Sequence, residues 1–334
     1  MDPLSQACFG ASLSQSASTD KSRQLSALVI GALAGMAPDL DVLIQSPGDP
    51  LLFLEYHRQF THSLIFIPVG ALICALVFYH LFKQKLSFFQ IYIFSLLGYA
   101  THGLLDACTS YGTQLFWPFS NERVAWSTVS IVDPFFTLPI LILIILAVYK
   151  KNKTFARAAF TYAIIFLSLG LIQKQRATDA LYAVAEERNH NPSRVHVKPS
   201  FANRHVWKIV YEHDDRYYVD AVKILWDSEI IQGTSIKKLN LIEDLPWLNH
   251  SSQQAKDIER FRWFSDNFLA LSPTDPELVI DVRYSFIPNT IIPLWGITLN
   301  RDDVKKNVLG RHVQFTSRRA LNEKIRKQFL EMLF

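Results

Sequence analysis

The sequence predicts a multi-pass α-helical membrane domain of about five spans followed by a small soluble α+β domain, on three observations. First, 49% of the 334 residues are hydrophobic, and the long apolar runs lie almost entirely before about residue 175. Second, those runs come in tandem, each approaching the roughly 20 residues that cross a bilayer as a helix. Third, beyond Ile172 the pattern changes to charged helical and alternating strand-like segments. The expected domains are therefore 1–175, membrane-embedded, and 176–334, soluble.

The expected spans are Leu25–Ile44, His62–Phe82, Phe88–Cys108, Ile131–Tyr149 and Phe155–Ile172. None is purely apolar, so burial in a soluble bundle is the competing reading, and the tandem arrangement favours the membrane. A weaker stretch, Leu4–Ser18, reads as a short re-entrant or interfacial helix. The segment before it lacks a basic run ahead of an apolar one, so insertion is expected to rely on the later spans. In the second domain "HVWKIVYE", "RYYVDAVKIL", "ELVIDVRYSF" and "LWGITL" read as strands. "IERFRWFSDNFLAL" reads as a helix, and "SRRALNEKIRKQFLEMLF" as a closing amphipathic helix.

A net charge of +4 with scattered basic residues gives no stripe for nucleic acid, and no such partner is expected. Cys8, Cys74 and Cys108 have no CxxC spacing and read as packing residues. Lys21, Arg23, Lys83, Lys85, Lys150, Lys151 and Lys153 fall at one set of span ends; Arg58, Arg123, Lys174 and Arg176 fall at the other. The positive-inside bias puts the first set in the cytoplasm and turns the second set and the C-terminal domain outward.

The outward ends also collect the chemistry. Asp39 and Asp41 end the first span, His57 and His62 open the second, His102 and Asp106 lie near the end of the third, and Asp133 opens the fourth. Imidazole with carboxylate suits a divalent metal, zinc first, with iron and manganese as alternatives. His102 and Asp106, four residues apart, share a helix face. Seven candidate ligands exceed what one four-coordinate ion takes, so two or three ions are expected, able to polarise a phosphoryl or acyl oxygen and to activate water. Plainer roles compete: Asp39 and Asp133 adjoin prolines and suit helix caps, and His80 lies at the opposite face. Ionisable groups inside a membrane are expensive and usually functional, which favours the metal reading for His102 and Asp106. Arg58 and Arg123 are the candidate contacts for an anionic substrate group.

"PDLD", "HRQFTHS", "HGLLDACTSYGTQLFWPF" and "VDP", in this order and spacing, resemble the YdjM family of membrane-bound metal-dependent hydrolases over about Met1 to Leu146. The resemblance implies metal ligation by Asp39, Asp41, His57, His62, His102 and Asp106, with Asp133 a weaker candidate. It also implies a bacterial inner-membrane location, and a distant likeness to zinc-dependent phospholipase C and zinc single-strand nucleases. Those relatives suggest a phosphoester substrate. One departure stands out: many members carry Thr-His where this chain has Ser5-Gln6. The expected function is thus a metal-dependent hydrolase, plausibly a phosphoesterase, of a lipid or envelope substrate. A metal transporter or sensor, and a scaffold stapled by a structural metal, are the rivals. Transport would want ligands at mid-membrane or along a path reaching both faces.

Overall fold

The computed structural model describes residues 1–306, 308–317 and 323–333. By its contacts the chain divides into two units: Met1–Leu43 with Tyr56–Gln173 and Phe201–Arg204, and Ile44–Glu55 with Lys174–Ser200 and His205–Phe334. The segment Ile44–Glu55, expected with the first domain, belongs to the second unit.

The first unit is helical: α1 (Pro3–Ala17), α2 (Gln24–Met36), then, after α3 (Leu52–Tyr56), α4 (Ile67–Phe82), α5 (Phe88–Ala107), α6 (Pro134–Tyr149) and the first part of α7 (Lys153–Glu187). Among the described residues, Lys21–Leu43, Leu64–Phe82, Phe88–Ala107 and Lys153–Glu187 are long and apolar enough to cross a membrane, and α6 is a shorter apolar helix. Two expectations change. The Leu4–Ser18 stretch is not an exposed interfacial helix: α1 is interior, packed against α2, α5 and α6. Its hydroxyl and amide side chains bond to neighbouring helices, Ser14 Oγ donating to the Phe94 carbonyl (2.8 Å) and Gln15 Nε2 to the Ile144 carbonyl (3.2 Å). Close approach depends on bare backbone, since a Cβ on Gly98 would stand 2.4 Å from the Gly31 carbonyl oxygen. Second, the fifth span and the charged helix after it are one element, α7, about 50 Å long.

The second unit has two antiparallel sheets. The first runs β1 (Arg194–Pro199), β2 (Val206–His213), β3 (Arg216–Ile224), β4 (Ser228–Lys237) in that order. After α8 (Leu241–Asp244) and α9 (Gln253–Phe264) come β5 (Leu269–Ser272), β6 (Asp275–Asp281), β7 (Trp295–Thr298), α10 (Arg301–Lys305), β8 (Gln314–Ser317) and α11 (Glu323–Leu333). One face of the first sheet, with Val197, Trp207, Ile209 and Tyr211, packs on Ala177, Leu181 and Ala185 of α7. Its other face meets Phe268, Ala270, Leu278 and Ile280 of the second sheet. The stretch read as one helix at "IERFRWFSDNFLAL" is α9 followed by strand β5. Of the expected closing helix, α11 covers Glu323–Leu333; Arg318–Asn322 and Phe334 lie outside the described residues.

This unit buries charge. Lys198 of β1 stands directly across from Lys208 of β2. Lys208, fully buried, donates to Ser285 Oγ (2.8 Å) and to the carbonyls of Pro288 (3.1 Å) and Thr290 (2.8 Å). Lys198 lies over the Tyr284 ring, 5.0 Å from its centroid. Burial pushes its ammonium down to about 8, against the partial offset of Asp281. Arg283 forks onto Asp281 (2.9 and 2.7 Å).

Candidate metal centre

Three features of local structure bring the ligands together. Beyond α2 the chain tightens into a 3₁₀ segment, Ala37–Leu43. At three residues per turn, Asp39 and Asp41 point in different directions. His62 ends a 3₁₀ turn, Phe60–His62, held against α5. That approach needs Gly103: a Cβ there would stand 2.3 Å from the His62 carbonyl oxygen. On α5 itself, His102 and Asp106 share a face and are fully buried.

Six of the expected ligands fall into two groups that share a member. Asp39, His62, His102 and Asp106 offer donor atoms within 4.8 Å of one another, as do Asp39, Asp41 and His57. In the first group the Nε2 atoms of His62 and His102 face each other at 2.9 Å. Asp39 Oδ1 lies 3.5 and 3.3 Å from them, and Asp106 Oδ2 3.4 and 3.8 Å. In the second, His57 Nδ1 lies 2.7 Å from Asp41 Oδ1. Asp39 is part-exposed, with 26% of its side chain accessible, while the other members of the first group are buried.

The surrounding shell orients the rings. His102 Nδ1 lies 2.6 Å from the Gly35 carbonyl oxygen, so it carries the ring proton and leaves Nε2 with a lone pair. The Thr61 hydroxyl donates to Asp41 Oδ2 (2.7 Å) and sits 2.9 Å from His62 Nδ1, where its oxygen accepts a ring N–H. Both Nε2 lone pairs then point at the same place as two carboxylate oxygens. Four such donors repel unless a cation lies among them, or a proton between the nitrogens takes its place; these residues fit a metal ion.

Asp133 is not in either group. It caps α6, accepting from the backbone N–H of Phe135 (3.0 Å) and Phe136 (3.3 Å), with Pro134 at the first helical position. Arg58 is buried and turned inward. Its Nε lies 2.9 Å from Asp106 Oδ2, its Nη1 donates to Thr109 Oγ1 (3.0 Å), and its backbone N–H reaches Asp41 Oδ2 (3.1 Å) from a left-handed conformation, φ 67°. Arg123 is half-buried and donates to the carbonyls of Tyr111 (3.2 Å) and Gly112 (3.1 Å). The two guanidinium groups stack on the Tyr111 ring, at 4.7 and 5.5 Å from its centroid. His80 is exposed and outside both groups.

Gln6 belongs to this site. It is fully buried, and its Nε2 donates to Asp106 Oδ1 (2.8 Å), the oxygen that also meets the Met1 amino group. Thr61, Thr109 and Gly103 complete the frame, and the sequence marks them only by adjacency to the ligands in "FTHS", "ACTS" and "THG".

Residues 1–177, more than half of the chain, match the profile of the YdjM inner membrane protein family. The chain belongs to the YdjM inner membrane protein family. The matched region covers three of the long apolar helices and most of the fourth, and it holds both candidate ligand groups. A Bacillus subtilis (strain 168) relative, "Uncharacterized protein YfhP", is 33% identical over 110 residues, a third of each chain. "Inner membrane protein YbcI" of Escherichia coli (strain K12) is 34% identical over 112 residues, 32% of this chain and 63% of that protein. The chain thus spans less than two thirds of the length of these curated relatives. No solved structure matches it.

Proposed function

We propose that the protein is a membrane-bound, metal-dependent hydrolase of a phosphoester in a lipid or envelope component, with zinc as its metal. One observation carries the reading: the Nε2 atoms of His62 and His102 converge at 2.9 Å with Asp39 and Asp106 oxygens 3.3 to 3.8 Å from them. A tetrahedral zinc site with bonds of about 2.0–2.1 Å has its ligand atoms about 3.4 Å apart. Asp39, shared with Asp41 and His57, suits a second ion beside the first. Bound divalent cations supply Lewis acidity toward a phosphoryl oxygen and lower the pKa of water at the site.

The chain's own residues do the rest. Asp41 and the Gly35 carbonyl hold the histidine rings, and Arg58, ion-paired to Asp106, positions that carboxylate rather than meeting substrate directly. Arg123, half-buried beside it, is the anion contact. The part-exposed Asp39 marks the open side. The positive-inside pattern turns this end of the helices and the C-terminal unit outward from the bacterial cytoplasm.

Metal analysis of the purified protein tests the centre, and hydrolysis of bis(p-nitrophenyl) phosphate and of phospholipids tests the activity. His62→Ala and His102→Ala should each lose metal while remaining inserted in the membrane. Full occupancy in both variants overturns the assignment, and metal flux through proteoliposomes without hydrolysis replaces it with transport.

A further inference from the structure

A groove runs away from the metal centre along α4. It has a volume of about 480 Å³ and is walled by Leu33 and Leu40, by Ile73 and Val77 of α4, and by Tyr99 of α5. Thr61 lines it, and the same Thr61 hydroxyl donates to Asp41 Oδ2 and sits 2.9 Å from His62 Nδ1. Through that side chain the groove adjoins the candidate ligands. Ile73, Val77 and Leu40 are each more than half exposed, so the groove opens sideways along a helix that is apolar enough to span a bilayer.

Its lining and its lateral opening select the occupant. The lining extends along α4 from Gly70 to Phe78, about 12 Å of helix. Half of a hydrocarbon core of about 30 Å is about 15 Å, the depth of one leaflet. Apart from Thr61 and the Tyr99 hydroxyl the lining is apolar, and its open side lies along a helix apolar enough to span a bilayer, so the occupant it fits is a hydrocarbon chain. A second apolar cavity, about 460 Å³ between α1, α5 and α7, offers no side chain hydrogen-bonded to a candidate ligand.

We infer that this groove seats one acyl chain of a phospholipid whose phosphoester lies at the metal centre. The inference rests on the hydrolase reading for the headgroup end, while occupancy of the groove is measurable without it. The full chain, in nanodiscs of phosphatidylethanolamine and phosphatidylglycerol, is given a phospholipid with a mid-chain diazirine. Ile73→Trp fills the groove; Leu72→Trp, on a neighbouring residue outside the lining, is the control.

Saturable cross-linking to α4 around Ile73 and Val77, competed by unlabelled phospholipid and lost in Ile73→Trp but not in Leu72→Trp, supports the inference. Unsaturable labelling spread equally over the Leu72 and Ile73 faces, unchanged in Ile73→Trp, overturns it and leaves boundary lipid only. In turnover, Ile73→Trp should lose phospholipid hydrolysis by about tenfold or more while bis(p-nitrophenyl) phosphate hydrolysis and metal content stay unchanged. Saturable cross-linking in a wild type that hydrolyses neither substrate keeps the groove and removes the hydrolase. Hydrolysis of both substrates, equal in wild type and Ile73→Trp, keeps the hydrolase and removes the groove.

Discussion

The two units bury ionisable groups in opposite ways. Inside the C-terminal unit two buried charges are met directly by their neighbours: Lys208 by three oxygen acceptors, Arg283 by both oxygens of Asp281. At the end of the helical unit, Asp106 meets Arg58, Gln6 and the Met1 amino group, yet it, Asp39 and two imidazole nitrogens also turn toward one another. A closed network rigidifies a fold, whereas converging acceptors repel unless a cation or a proton lies among them. The contrast separates a polar core closed on itself from one that leaves donor atoms converging on a shared point.

Disturbing the convergence without removing a ligand should have the largest effect. Gly103→Val places atoms where the His62 carbonyl oxygen stands and should displace that imidazole. Metal content should fall to background although every ligand is present; a variant that keeps its metal breaks the claim that close backbone approach builds the site. A smaller loss is expected from Gln6→Leu, which removes the bond to Asp106 and keeps the volume. Loss of an outer partner of a ligand weakens metal affinity by about 10–100-fold, measurable by chelator competition; unchanged affinity would remove Gln6 from the site.

The third effect belongs to the other unit. The folded-state pKa of Lys198, about 8, lies below its unfolded value near 10.4, so between those values the unfolded state binds more protons. Stability therefore rises with pH from about 8 toward 10.4, and below 8 the charged Lys198 opposes folding. Lys198→Met should raise stability at pH 7 on the order of 1–2 kcal/mol and flatten that rise. Denaturant melts at several pH values check it; an equally steep rise in the variant assigns the dependence elsewhere.

The clustering of Asp39, Asp41, His57, His62, His102 and Asp106 was legible because polar residues on apolar spans are few and alternation of the spans sends these six to one end. The family likeness was legible in the same residues. What the sequence hid is mostly interior polarity. Helix α1 mixes serine and glutamine with small residues on every side, so no apolar stripe declares that it is buried. Strand β1 carries Lys198 on an inner face, which breaks the alternation that marks a strand. Arg58 looked like a group facing substrate because sequence does not reveal that a left-handed residue folds its side chain back onto Asp106. For Asp133, a cap and a ligand look alike until the partners are seen, and the partners are backbone N–H groups.

Asp39 is the one residue common to both ligand groups. A carboxylate with two clients couples them: an ion in the first group fixes the side chain for the second and removes part of the ordering that the second ion would otherwise require. Loading should then be cooperative, filling as a pair over a narrow range of free metal. An alanine at position 39 should uncouple the two steps, leaving single-ion stoichiometry where the native chain passes from empty to paired.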